Sequence, residues 1–275
     1  MLPPLPVRGA IGARPQDEVG PAVTVQASVS RSDRMSLVIS PMVAVPAIPS
    51  DATAEIAREL FEQAGWSQIG VGDWSWVLAD ASRAWAARVT PFDPAYRMHA
   101  EACISGRPNR WLPHMATLMP LRRDGYVVVM ERLGPADEEA AASFCAALAI
   151  GNDSGYAPPV GKPFDAVTDA DFAALRARLL ALLADGARRY QLWGGSDIRP
   201  GNIMADARGS LKLVDPIFLR GKAIVDALRD GRRDLLTDFS RRQLEDFLTI
   251  PVFGPGEETD GIRRQLALLY DEGTG

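Results

Sequence analysis

The sequence predicts an α+β chain with a sheet-rich first half and a helical second half, and three observations predict it. Between about 66 and 133 the apolar residues alternate in short runs, whereas beyond 137 they recur at helical spacing. Turn-forming residues break the first region every few positions, while the second contains runs long enough for helices of several turns. The 275 residues leave room for one large domain or two modest lobes and for a core that needs no staples.

Residues 1–50 carry prolines at 3, 4, 6, 15, 21, 41, 46 and 49 that interrupt each apolar run, so a disordered or extended arm is expected there. This stretch lacks the charged start and unbroken apolar core of a secretory signal, although a non-cleaved export signal stays open. A helix is expected over 54–64, after the capping residues Ser50 and Asp51, with Ile56, Leu60 and Phe61 at helical spacing and Gly65 as its stop. Residues 66–89, rich in Trp and Val and broken at Gly70, Gly72 and 80–82, read as two or three strands. Asp93-Pro94, an N-cap followed by proline at the first helical position, starts a helix that runs to about Gly106. Residues 116–133 read as a hairpin turning on Arg123-Asp124-Gly125. Then come a helix over 137–150, a Gly- and Pro-rich loop, a long amphipathic helix over 171–190, short β-like pieces near 202–204 and 211–214, and helices from about 222 to 270. The corresponding units are an arm (1–50), a sheet-rich lobe (51–133) and a helical lobe (134–275).

Composition narrows the function. Acidic residues outnumber basic ones, 35 to 30, for a formal charge of -5, which argues against a nucleic-acid partner and leaves only a local basic pocket for an anion. No run approaches a membrane span, so a soluble protein is expected, cytoplasmic or, if the arm is an export signal, delivered to a host cell. Two cysteines, Cys103 and Cys145, and two histidines, His99 and His114, are too few for a usual zinc site, and both histidines are expected to be structural. Lysine occurs only at 162, 212 and 222, so a cation required in the first 160 residues has to be an arginine.

The segment Gly195-Ser196-Asp197-Ile198-Arg199-Pro200-Gly201-Asn202, followed by Leu213-Val214-Asp215-Pro216, spaces an acid, an amide and a second acid along one stretch. Phosphoryl transfer uses such a set: one carboxylate orients the attacking hydroxyl, while an amide and a second carboxylate hold magnesium against nucleotide phosphates. Two protein oxygens suffice, because magnesium keeps waters and phosphate oxygens as its other ligands.

This stretch resembles the catalytic and metal-binding loops of the protein kinase superfamily, H-R-D-[LI]-K-P-x-N and D-F-G. It departs from them at Gly195-Ser196, where His-Arg is usual, and at Asp215-Pro216-Ile217. The Pro-Gly-Asn variant also resembles aminoglycoside-type small-molecule kinases. The resemblance covers most of residues 66–220 and implies a two-lobed kinase-like fold, with antiparallel sheet and one helix first and a small helical lobe second. It implies Asp197 as base or orienter, Arg199 as a stabiliser of the transferring group, and Asn202 and Asp215 as Mg2+ ligands. Gly70, Gly72 and Ser75 then cover the phosphates of ATP, with Val77 and Ala86 lining the nucleotide and Met130, Glu131 and Leu133 forming the gatekeeper and hinge. Arg88 falls where the family has its strand lysine, and Glu101 where the pairing helix glutamate is found. The expected activity is transfer of the ATP γ-phosphoryl to a protein hydroxyl by a minimal serine/threonine kinase, such as some bacteria deliver into host cells. The alternatives are a small-molecule kinase of the aminoglycoside phosphotransferase type, or a nucleotide-binding pseudokinase, because Arg88 replaces lysine.

Overall fold

The computed structural model describes residues 23–24, 43–151 and 169–271. Most of the predicted arm and much of the predicted 151–163 loop lie outside the described residues. The described end of the arm is folded: β1 (Val23–Thr24) pairs antiparallel with β2 (Ala44–Val45), and Val43 and Val45 are buried in the core of the first lobe.

Helix α1 (Ala54–Gln63) is capped by Thr53, whose hydroxyl accepts from the Ile56 N–H, and not by Ser50 or Asp51. It buries Ala54, Ala57 and Phe61, so Ile56, expected on the core face, is 45% exposed. Three strands follow, β3 (Ser67–Val71), β4 (Trp76–Ala79) and β5 (Trp85–Thr90), then α2 (Pro94–Ser105), then the hairpin of β6 (Met115–Pro120) and β7 (Tyr126–Glu131). The five strands form one antiparallel sheet in the order β3-β4-β5-β7-β6. Its two central strands show little polar alternation because both faces are covered. Ala87, Val89, Val127 and Val129 pack towards α1 and the arm, while Tyr126, Val128 and Met130 pack against Tyr96 and Ala100 of α2. Burial on two faces makes the apolar run continuous, where a sheet wetted on one face would alternate.

In the second lobe, β8 (Gly134–Pro135) leads into α3 (Glu138–Leu148) and α4 (Ala170–Arg189). Next come β9 (Trp193–Ser196), a 3-10 turn (Pro200–Asn202), β10 (Ile203–Ala205), β11 (Leu211–Leu213) and β12 (Ile217–Leu219). Helices α5 (Gly221–Arg229), α6 (Arg241–Phe247) and α7 (Glu257–Asp271) complete the described chain. The predicted β-like pieces are β10 and β11; β8, β9 and β12 are additions. One core joins Phe144 and Leu148 of α3 to Leu175 and Leu179 of α4, to Ile198 after β9, and to Ile203 of β10 and Leu213 of β11. A second joins α5, α6 and α7 to Phe92, Ala95 and Met98, so one face of α2 packs into the helical lobe while another, carrying Tyr96 and Ala100, packs under the sheet. This is the two-lobed architecture expected from the sequence. Among the described residues no helix is long and apolar enough to cross a membrane.

Candidate active site

Antiparallel pairing of β9 with β12 creates the site. Ser196 stands opposite Ile217, and the Asp197 N–H donates to the Pro216 carbonyl at 2.8 Å, so Asp197 and Asp215 emerge side by side where the two strands end. The chain between them folds back as the β10–β11 hairpin, with Ile203 opposite Leu213. Burial of Ile198 in the lobe core pins the start of this excursion. The 3-10 turn then swings Asn202 back underneath. Its side-chain Nδ2 donates to Asp197 Oδ2 (2.8 Å), to the Asp197 carbonyl (2.7 Å) and to the Asp215 carbonyl (2.8 Å), while the Asn202 main-chain carbonyl accepts from the Val214 N–H. Asn202 is thus the buried tie between the two acidic positions. Arg199 reaches back to Asp197 with its Nε at 3.1 Å and keeps half its side chain in solvent.

Across the cleft, Arg88 projects from β5 as a planar fork. Its Nη1 donates to Asp215 at 3.2 Å and its Nη2 to Asp93 at 3.1 Å, with 12% of the side chain exposed. The guanidinium carbon lies 3.5 Å from the centroid of the Tyr96 ring, an electrostatically favourable seat for a cation. The expected partner, Glu101, is elsewhere: it is exposed and pairs with Arg97 at 2.9 Å. The acid that meets Arg88 is the N-cap of α2, which also receives the Tyr96 N–H at 3.0 Å and whose carbonyl accepts from the Tyr126 hydroxyl at 2.8 Å. Desolvation raises the pKa of both Asp93 and Asp215 against the pull of Arg88, with the Asp215 charge adding to the rise at Asp93 and the Asp197 charge to that at Asp215, whose side chain is only partly buried.

The cleft between these groups has a volume of about 1190 Å³ and includes Asp197, Arg199, Asp215, Arg88 and Asp93 in its lining. The turn joining β3 to β4 roofs it, closed by the Gly72 N–H on the Ser75 carbonyl at 2.9 Å; Gly72, Asp73, Trp74, Ser75 and Val77 all line the cleft. Gly70 sits within the strand pair, opposite Val77, and not in the roof. At the tip, the Trp74 ring lies 5.3 Å from Phe247 and 6.3 Å from Phe92. Gly221 leaves room for it, since a Cβ there would come within 2.8 Å of the indole, and the Asp73 carbonyl accepts from the Val252 N–H at 3.1 Å.

The remaining expected nucleotide residues stand behind this cleft. Ala86 is buried opposite Met130, and Met130 faces α2, where its Sδ accepts from the Tyr96 hydroxyl at 3.7 Å. The Glu131 N–H donates to the His114 carbonyl and the Arg132 N–H to the Ala84 carbonyl, so the sheet already uses these two hinge donors. The Glu131 carboxylate pairs with the buried Lys212 at 3.4 Å. Ala86, Met130, Glu131 and Leu133 do not line the 1190 Å³ cleft.

The donor set fits a magnesium ion. All three hydrogen bonds of the Asn202 side chain leave through Nδ2, which leaves its Oδ1 as a hard oxygen, and the Asp215 carboxylate supplies a second that lines the cleft. Among the described residues no group of three or more His, Cys, Asp and Glu could hold a metal, which leaves the remaining ligands to phosphate and water. His99 is fully buried on α2 with the Cys103 Sγ 3.8 Å from its ring, and burial raises the thiols of Cys103 and Cys145 to about 12. Neither cysteine lines the cleft. Asp93 and Tyr96 are the site residues the sequence reading missed; the sole signal for Asp93 was its role as a helix cap.

No family profile matches the chain, and no curated protein matches it. Among solved structures it is similar to a thermostable mutant of aminoglycoside phosphotransferase APH(4)-Ia in ternary complex with AMP-PNP and hygromycin B, at 11% identity and a TM-score of 0.29, covering 79% of this chain and 98% of that one. It is also similar to aminoglycoside phosphotransferase APH(3'')-Id from Streptomyces rimosus, at 14% identity and a TM-score of 0.32, over the same shares of the two chains.

Proposed function

We propose that the chain is an ATP-dependent phosphotransferase that acts on a hydroxyl of a small-molecule acceptor. The observation that carries this reading is the convergence of Asp197, Asp215 and Arg88 on one cleft beneath a glycine turn, with Asn202 buried behind Asp197 and tied to it. Asp197, fixed by Asn202 and Arg199, accepts a hydrogen bond from the attacking hydroxyl and orients it. Arg88 and Arg199 present fixed positive charge where negative charge spreads during transfer. Bound Mg2+, held by Asp215 and the Asn202 Oδ1, supplies charge neutralisation for the phosphates. The backbone of the Gly72–Ser75 turn covers them from above.

A specific observation favours a small acceptor over the protein acceptor expected of a minimal serine/threonine kinase. After Asp215 the chain passes directly through β12 and Arg220 into α5, with no segment that could serve as a platform for an extended polypeptide. The roof is also seated on the helical lobe through Trp74, which narrows that side of the cleft.

The test is transfer of label from γ-labelled ATP with Mg2+ to a panel of hydroxylated small molecules, including an aminoglycoside such as hygromycin B, beside a total protein extract. Label is expected on one or more small acceptors and is expected to fall by about 10²–10⁴-fold in Asp197→Asn, the range for a lost acid–base group. Label confined to protein bands would restore the protein-kinase reading. Tight nucleotide binding with no transfer to either class would leave the pseudokinase reading.

A further inference from the structure

Residue 88 poses a question the phosphotransferase reading does not answer: whether its arginine is a degraded lysine or the residue this site is built for. The surroundings decide it. The fork spans two carboxylates on different elements, Nη2 on Asp93 at 3.1 Å and Nη1 on Asp215 at 3.2 Å, and its flat face rests on the Tyr96 ring. A lysine offers one compact ammonium on a flexible stem and has no planar face to stack. Asp93 is itself immobilised from three sides. Its carboxylate caps α2 through the Tyr96 N–H, its carbonyl accepts from the Tyr126 hydroxyl, and the residue is almost wholly buried.

We propose that Asp93 and Tyr96 are positioning residues that shape this site for an arginine, taking over the anchoring expected of Glu101. The proposal rests on the phosphotransferase reading, because the group being positioned is the one that faces the nucleotide phosphates. It also has a consequence of its own. Where the anchor is a mid-helix glutamate, helix rotation can make or break the ion pair; here the anchor is the N-cap of the helix, so the pair persists as long as α2 is capped. The cation is therefore fixed by the fold and requires no switching step.

The experiment measures the affinity of the full chain for a fluorescent ATP analogue with Mg2+ in six single variants and one double variant. Asp93→Asn is the informative one, because asparagine caps helices as well as aspartate does, so the charge is removed while the cap is kept. It is expected to weaken binding by about tenfold or more, consistent with loss of one charge-assisted hydrogen bond. Arg88→Lys is expected to weaken binding by a similar factor and not to improve it. Tyr96→Phe keeps the ring face and is expected to stay within about twofold of the parent, whereas Tyr96→Leu falls with Asp93→Asn. Glu101→Gln is expected to bind as the parent does. A double-mutant cycle of Asp93→Asn with Arg88→Ala is expected to be non-additive, the double variant binding no worse than Arg88→Ala alone. Tight binding by Arg88→Lys, parent-like binding by Asp93→Asn, or equal loss in Glu101→Gln would each overturn the proposal. Failure of the parent chain to bind the analogue would count instead against the phosphotransferase reading.

Discussion

Around α2, ionisable groups respond to acid in opposite senses. His99 is sealed under the sheet, its ring edge-on to Tyr96, and burial together with the Arg88 and Arg178 charges holds its pKa down to about 3 from a usual 6.5. A depressed histidine contributes stability that is fully present above its unfolded pKa and is lost as pH falls towards its folded one, at about 1.4 kcal/mol per pH unit. The raised carboxyls of Asp93 and Asp215 work the other way, since their protonation relieves an unfavourable burial of charge. The useful quantity is therefore a difference between proteins: His99→Gln is expected to flatten the fall in melting temperature between pH 7 and pH 4 relative to the parent. A parent-like slope in that variant would mean that His99 is not the acid-labile group. At this scale the sequence was informative wherever function follows spacing along the chain. Asp197, Asn202 and Asp215 are recognisable because a single loop excursion brings them together. Asp93 was not, because a helix cap looks the same whether or not an arginine from the neighbouring strand reaches it. Glu101 lies about 12 Å further along the helix axis, on a different turn, and faces solvent.

Elements that bury one clear face could be read from their pattern, and elements made of small residues could not. The helix pattern over 171–190 became α4, whereas β9 escaped notice because its Gly194 and Gly195 look like a loop. The structure explains these glycines: a Cβ at Gly194 would enter the Phe218 ring of the partner strand, and Gly195 has φ +95. The same logic gives a test within α4. Gly186 occupies a helix interior, where alanine is normally better by about 1 kcal/mol. Here a Cβ would run into the Trp193 indole, so Gly186→Ala is expected to lower stability by about 1–3 kcal/mol despite its better helix propensity. Urea denaturation checks the sign, and a gain in stability would show that Trp193 can move aside. Ile56 teaches a related lesson, because helical spacing gives the periodicity of a face and tertiary packing chooses which face turns inward.

Across the whole molecule, the order of a sheet-rich lobe before a helical one was evident from patterning alone, but the joint between them was not. It is α2, which contributes Ala95 and Met98 to the helical core and Tyr96 and Ala100 to the packing beneath the sheet. A second strut joins Arg123, in the β6–β7 turn, to the buried Asp246 of α6 at 2.8 Å. With two such connections the lobes are expected to unfold together. Tryptophan fluorescence, weighted to the first lobe, and far-ultraviolet dichroism, weighted to the helices, should report one coincident transition. Two separated midpoints would show that α2 does not couple them.

The docking of Trp74 onto Phe92, Phe247 and the bare backbone at Gly221 also bears on the time course of turnover. Ordering a loop costs about 1–2 kcal/mol of backbone entropy per residue, and in this chain that ordering accompanies folding and not substrate capture. Under the proposed phosphotransferase reading, nucleotide meets a roof already in place, and its dwell time depends on how often the indole lifts out of its aromatic seat.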